Sequence, residues 1–226
     1  MEKEERLLRP SLLSANFASL KDDIEEMISL NIKDCHFDVM DGSFVDQISF
    51  GEPILKSCLK EFKDKIDFDI HLMTLNPYRQ AMQFYKAGAK EICFHYEVFD
   101  KDLSKIEEIK KECPGIELGL AFSPETNVFD VLPYTYLFSN ILVMSVVPGK
   151  GGQSYIPGSE DKIRILDQYR KDHNLSYKIG VDGGINSKTA KLVYDNHVDW
   201  MVCGSYYFKA EDKKKLLEEF NKSIRG

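Results

Sequence analysis

Cysteine is scarce and unpatterned. There are five in 226 residues, an odd number without Cys-x-x-Cys spacing, which fits a reduced interior better than a secreted disulfide framework. Cys35, Cys93 and Cys203 lie inside apolar runs and read as core residues, not ligands. Long hydrophobic runs are missing too: no stretch approaches the roughly 18 uncharged apolar residues of a membrane span. The N-terminal Met1-Glu2-Lys3-Glu4-Glu5-Arg6 has no apolar signal region, so the expectation is a soluble, cytoplasmic chain with no membrane partner. Basic excess is absent. A net charge of −7 and a pI near 5.3 argue against nucleic acid as a general partner, because no basic stripe exists to neutralise phosphates. A small phosphorylated metabolite stays open, since a pocket can be locally positive on an acidic protein. No linker or low-complexity tract divides the chain, and 43% hydrophobic residues suffice for a sizeable core, so residues 1–226 read as one domain.

What is present is alternation. Short apolar, β-branched runs at 8–12, Asp34–Met40, 66–73, 91–94, Glu117–Phe122, 140–146, 177–181 and Trp200–Cys203 read as eight strands. Between them lie amphipathic stretches such as Phe17-Leu20-Ile24-Met27-Ile28 and Leu103-Ile106-Ile109. Asn76-Pro77 and Ser187 supply helix-start chemistry, Gly88 closes the helix before it, and a last helix spans 212–224, its Lys213-Lys214-Lys215 a solvated face. Strict alternation implies parallel strands with right-handed crossovers, and eight repeats close a (β/α)8 barrel. An open doubly wound sheet is the alternative. It is disfavoured because no Gly-x-Gly-x-x-Gly follows the first strand.

Three segments carry chemistry at the ends of such runs: Cys35-His36-Phe37-Asp38-Val39-Met40-Asp41, Ile70-His71-Leu72-Met73 and Val181-Asp182-Gly183-Gly184. His36 and Asp38, two apart on a strand, point to one face. On a barrel, active residues occupy the C-terminal strand ends, where His36, Asp38, His71 and Asp182 all fall. Two imidazoles and two carboxylates suit Zn²⁺, Fe²⁺, Mn²⁺ or Co²⁺ and are too nitrogen-rich for Ca²⁺ or Mg²⁺. The glycines of Pro148-Gly149-Lys150-Gly151-Gly152-Gln153-Ser154, of Gly183-Gly184 and of Gly204-Ser205 put bare backbone at three neighbouring loops, where N–H groups can approach a phosphate. His95, with Glu97 close by, is open to either a supporting role behind the site or a structural one at the rim. His173 and His197 read as solvated, and Trp200 as packing.

These segments resemble the ribulose-phosphate 3-epimerase family. The likeness runs from Pro10-Ser11-Leu12-Leu13-Ser14 through His36 to Val45, His71-Leu72-Met73, Met144 to Gln153 and Val181-Asp182-Gly183-Gly184 to Gly204-Ser205. It implies a single-domain (β/α)8 TIM barrel of the ribulose-phosphate-binding type. The activity implied is metal-dependent interconversion of D-ribulose 5-phosphate and D-xylulose 5-phosphate. By motif position, His36, Asp38, His71 and Asp182 would hold one divalent transition metal per chain, with Asp38 and Asp182 also the acid/base pair. Ser11 and His71 would meet substrate. Gly149, Gly151, Gly152, Gly183, Gly184, Gly204 and Ser205 would hold its phosphate, and Met40, Met73 and Met144 would line the pocket. No nucleotide cofactor is required, the partner is a small sugar phosphate, and a homo-oligomer is implied. A hexulose-phosphate (allulose 6-phosphate) 3-epimerase or a catalytically silent sugar-phosphate-binding barrel is the alternative. A barrel aldolase or decarboxylase would show a lysine at a strand end, and none stands there. Departures from the family pattern are Asp46-Gln47 for Pro-Asn, Gly180 for Glu, Lys150 for an aromatic and Tyr206-Tyr207 for smaller residues. They bear on sugar specificity and on residues 148–159 as a lid, not on the acid/base or metal set.

Overall fold

The computed structural model describes residues 7–225; the N-terminal hexapeptide read above for a signal lies outside them. Eight parallel strands form one sheet: β1 (Leu8–Pro10), β2 (Asp34–Met40), β3 (Asp67–Met73), β4 (Glu91–His95), β5 (Glu117–Phe122), β6 (Asn140–Met144), β7 (Lys178–Asp182) and β8 (Trp200–Cys203). The strands run in the order β1-β8-β7-β6-β5-β4-β3-β2, and a parallel bridge between Ser11 and His36 joins the two ends into a barrel. Helices cover the outside: α1 (Leu20–Ser29), α2 (Glu52–Phe62), α3 (Pro77–Ala87), α4 (Leu103–Glu112), α5 (Val128–Val131), α6 (Ser159–Asp172), α7 (Ser187–Asp195), α8 (Ser205–Phe208) and α9 (Lys213–Arg225). No helix among the described residues is long and apolar enough to cross a membrane.

Local chemistry accounts for the helix ends. Pro77 stands in the first turn of α3, where its missing N–H costs nothing, and Gly88 ends that helix at φ 112°, a left-handed value that glycine takes without strain. At α7 the expected start is displaced by one residue. Asn186, not Ser187, is the cap: its side chain accepts from the Lys188 and Thr189 amides, and the Thr189 hydroxyl accepts in return from the Asn186 amide. Phe17 is a second correction. Asn16 caps a separate 3₁₀ turn at Phe17–Ser19, which leaves Phe17 54% exposed and outside the apolar stripe of α1. The first strand is also shorter than expected, because Ser11 turns the chain into a 3₁₀ turn at Leu12–Ser14. Lys213 is only partly the solvated lysine expected. It pairs with Glu26 at 2.7 Å and lies over Tyr207.

Two cores follow from strand alternation. Outward-facing Phe37, Val39, Ile70, Leu72, Ile92, Phe94, Ile141 and Val143 pack under the helices. Inward, Cys93, Ala121, Leu142, Met144, Val146, Trp200 and Val202 form a smaller apolar cluster. Cys35, Cys93 and Cys203 are buried free thiols, and His173 and His197 are exposed. Inward positions on β1, β2, β3 and β7 carry Arg9, His36, Asp38, Asp69, His71 and Asp182, and these polar residues make the site.

Candidate active site

Strand register brings the polar residues together. On adjacent strands His36 stands opposite Asp69 and Asp38 opposite His71, while the closing bridge sets Ser11 beside His36. Asp182 arrives from β7, which the strand order separates from β2 by β8 and β1 on one side. One ligand atom each from His36, Asp38, His71 and Asp182 lies within 4.8 Å of the others.

Hydrogen bonds behind these side chains decide which atoms face inward. Asp69 Oδ2 lies 2.8 Å from His36 Nδ1; a carboxylate only accepts, so Nδ1 carries the hydrogen and Nε2 is turned to the centre. A longer relay orients His71. Glu97 Oε2 accepts from His95 Nδ1 at 2.9 Å, so neutral His95 offers a bare Nε2, and His71 Nε2–H donates to it at 2.9 Å. That leaves His71 Nδ1 bare and facing His36 Nε2 at 3.2 Å. Asp38 Oδ1 lies 3.4 Å from His36 Nε2 and 3.3 Å from His71 Nδ1, and Asp182 Oδ2 lies 3.8 Å from each. The second oxygen of Asp38 accepts from Ser11 Oγ at 2.6 Å.

With His36 Nε2 deprotonated, four electron-pair donors converge, and such a group suits a cation. Without an ion, a proton on His36 takes that place. Burial opposes charge on His36, yet the carboxylates of Asp38 and Asp69 outweigh it and hold the imidazole well above its usual range. Burial likewise opposes ionisation of Asp38, and His36 and His71 overcome it, keeping Asp38 well below the carboxylate range. Asp182 goes the other way: burial and the neighbouring charges of Asp38 and Asp69 push it up to about 7. His95 is pushed down to about 4 by burial, consistent with the neutral ring the relay requires. Five of the six donor separations, 3.2 to 3.8 Å, approach those of ligands around one divalent ion. Metal–ligand bonds of about 2.0–2.2 Å place neighbouring donors roughly 3–3.5 Å apart.

Above this cluster a cavity of about 60 Å³ is lined by Ser11, Asp38, Met40, Met73, Met144 and Asp182. Its other end is lined by Gly149, Gly151, Gly152, Gly183, Gly184, Gly204, Ser205 and Tyr206, so all three glycine loops meet there. Neighbouring groups approach these glycines closely: a Cβ on Gly184 would lie 2.3 Å from the Tyr155 amide nitrogen, and one on Gly204 would lie 2.7 Å from the Ser14 side-chain Oγ. The cavity is far smaller than the roughly 300–1,000 Å³ of typical small-molecule sites. A Cβ on Gly149 would stand 3.0 Å from Val45, so the β6 loop is laid against the β2 loop beside the cavity.

With this geometry in view, comparison with known proteins is direct. Residues 7–208 match the Ribulose-phosphate 3 epimerase family. The chain belongs to that family. It is 33% identical over 218 residues to the ribulose-phosphate 3-epimerase of Schizosaccharomyces pombe, covering 96% of this chain and 93% of the relative. With the enzyme of the same name from Escherichia coli it shares 34% identity over 222 residues, covering 96% of each. Among solved structures, 3-hexulose-6-phosphate synthase from Salmonella typhimurium superposes with a TM-score of 0.69 at 14% identity, covering 97% of this chain and 98% of that one, a likeness of fold. Family membership makes this chain one of a family of enzymes on a TIM barrel.

Two residues of the site escaped the sequence reading. Asp69 stands two before His71 on β3, the same i, i+2 relation that paired His36 with Asp38, and that spacing was the available signal. Arg9 is the other, an arginine inside the apolar run Leu7-Leu8-Arg9-Pro10 that is only 4% exposed. Its Nη1 lies 3.0 Å from Asp69 and 2.8 Å from Glu91. His95, for which two roles stood open, lies behind His71, with the Phe44 ring 4.7 Å from its own.

Proposed function

We propose that the chain epimerises a ketose phosphate at C3, interconverting D-ribulose 5-phosphate and D-xylulose 5-phosphate by proton transfer through two carboxylates. The observation that carries this reading is the placement of Asp38 and Asp182 on strands from different sides of the barrel, at the floor of one cavity. Inverting a carbon requires a proton to leave one face and another to arrive at the opposite face. Both carboxylates line that cavity, so one accepts the proton from the face it borders while the other delivers a proton to the opposite face. In the reverse direction the two exchange roles. Each contributes about 10²- to 10⁴-fold in rate as a positioned acid or base.

His36, Asp38, His71 and Asp182 would hold one divalent transition metal of the Zn, Fe, Mn or Co kind. When bound, such an ion supplies positive charge against the oxygen next to the reacting carbon, stabilising the enediolate. Asp69, His95 and Glu97 keep the two imidazoles turned toward that position, and Ser11 holds the outer oxygen of Asp38. Amides of the three glycine loops receive the phosphate at the far end of the cavity, where bare backbone permits close approach. Met40, Met73 and Met144 keep the space between dry. Residues 148–159 act as the lid, opening at the Gly149–Val45 contact to admit substrate. Lys150, exposed at the mouth of the cavity, adds positive charge at its rim.

The test pairs two measurements on metal-replete Asp38→Asn and Asp182→Asn enzymes: epimer formation, and exchange of the C3 hydrogen with deuterated solvent. Each variant should lose about 10²-fold or more in interconversion while retaining exchange from the epimer whose base survives. An Asp182→Asn enzyme of full metal content that epimerises near the parental rate removes Asp182 from the mechanism. Turnover of allulose 6-phosphate in preference to ribulose 5-phosphate reassigns the substrate, and turnover of neither leaves a binding barrel.

A further inference from the structure

Beneath the metal-ligand cluster, the barrel interior holds an arrangement that the proposed reaction does not use. Arg9, 4% exposed, extends from β1 into the barrel, and its guanidinium lies 4.0 Å from the centroid of the Trp200 ring. One nitrogen, Nη1, contacts both Glu91 Oε1 at 2.8 Å and Asp69 Oδ2 at 3.0 Å. That Asp69 oxygen is the same one that accepts from His36 Nδ1 at 2.8 Å. Trp200 in turn rests on Gly180, its register partner on β7. A Cβ at 180 would lie 2.3 Å from ring carbon Cζ2, so the ring occupies that space only because residue 180 has no side chain. The glycine that departs from the family pattern is thus the space into which the support of Arg9 is built.

We infer that Arg9, stacked on Trp200 over Gly180, is a positioning residue for the metal site, fixing the Asp69 carboxylate that orients His36. The inference rests on the metal reading given above. Arg9 touches neither the ligand atoms nor the cavity above them; it acts through one oxygen. Held from below, Asp69 Oδ2 keeps the imidazole edge-on, with Nε2 among the other three donors. Released, Asp69 can swing or draw in water, and His36 loses its fixed direction. Partners of this kind behind a metal ligand typically change metal affinity or activity by about 10- to 100-fold. Trp200 is the single tryptophan of the chain, and its ring centroid is 6.3 Å from that of His36, so its emission reports on an ion at this site.

The experiment titrates metal-free protein with Co²⁺, whose binding is followed by quenching of Trp200 emission and, for variants without tryptophan, by competition with a chromophoric chelator. Arg9→Met should weaken Co²⁺ by about 10- to 100-fold, Arg9→Lys should recover part of the loss by restoring the charge, and KM should change less than metal affinity. Trp200→Leu keeps every charge in place and should weaken Co²⁺ in the same direction, so it decides the matter if Arg9→Met does not fold. Arg170→Met is the control. It removes an arginine paired with Asp167 and Asp199 away from the metal ligands, and should cost stability without altering Co²⁺ affinity. Folded Arg9→Met and Trp200→Leu proteins that both bind Co²⁺ within about threefold of the parent overturn the inference. A parent that binds no Co²⁺ overturns the metal reading itself, and this inference with it.

Discussion

Adding a single methyl group at Gly180 should damage this barrel more than its size suggests. The methyl of Gly180→Ala would stand 2.3, 2.5 and 2.6 Å from three carbons of the Trp200 ring, where unstrained carbon contacts are roughly 3.5–4.0 Å. The ring must therefore move by more than roughly 1 Å, and Arg9, 4.0 Å from its centroid on the neighbouring strand, stands in contact with it. Overpacking of this kind costs about 1–3 kcal/mol. Disturbing the guanidinium–indole contact adds about 0.5–2 kcal/mol. Backbone strain contributes nothing, since residue 180 lies inside a regular strand and has no positive φ. Trp200→Leu alone should cost somewhat less than the about 3–5 kcal/mol of a tryptophan truncated to alanine. In the double variant the methyl enters space that the indole has vacated, so the two losses should fall short of their sum by about 1–3 kcal/mol. Urea unfolding of the four proteins followed by circular dichroism measures this coupling, with unchanged m values confirming that one transition is compared. Losses that add within about 0.5 kcal/mol would refute the reasoning, because they would mean that Gly180 and Trp200 do not compete for one space.

The remaining predictions concern acid and metal. Burial opposes ionisation of Glu97, but hydrogen bonds from His95, Thr126 and the Ser123 amide outweigh it and hold the carboxyl at about 2, below its ordinary 4.5. A depressed carboxyl stabilises the fold above its unfolded value and loses that contribution as pH falls toward its folded value. The shift has a ceiling of about 3 kcal/mol. Because the Glu97 side chain is 26% exposed, screening lowers the effect to about 1–2 kcal/mol. Glu97→Gln should therefore be less stable than the parent at pH 7 by that amount, with the gap closing between about pH 4.5 and 2; a gap independent of pH in denaturation series would assign the loss to packing. Elemental analysis should find about one transition-metal ion per chain, chelation should abolish epimerisation, and Zn²⁺, Co²⁺, Mn²⁺ or Fe²⁺ should restore it. Full turnover in a metal-free preparation would separate the acid/base pair from any metal requirement.

By itself, the sequence determined what depends on short-range pattern. Eight apolar runs alternating with amphipathic stretches specify parallel strands and covering helices, because strand and helix periods are local properties of the chain. The i, i+2 spacing of His36 and Asp38 sets both on one face for the same reason, and the position of His71 and Asp182 at the ends of later runs sends them to the same rim. Element ends were less legible where two residues compete for one role. Asn186 and Ser187 can both cap a helix, and only the backbone path into α7 selects Asn186. Tertiary structure alone decided the rest, which consists of contacts between residues far apart in sequence. Arg9 meets Glu91 across 82 positions, and His36 meets Asp69 across 33. The barrel's closure at Ser11 and His36 carries Ser11 to Asp38, and the strand register carries Trp200 onto Gly180. No periodicity encodes these pairings. They arise when inward side chains from eight strands are forced into one narrow interior, where each buried charge must find a partner and each ring must find a gap.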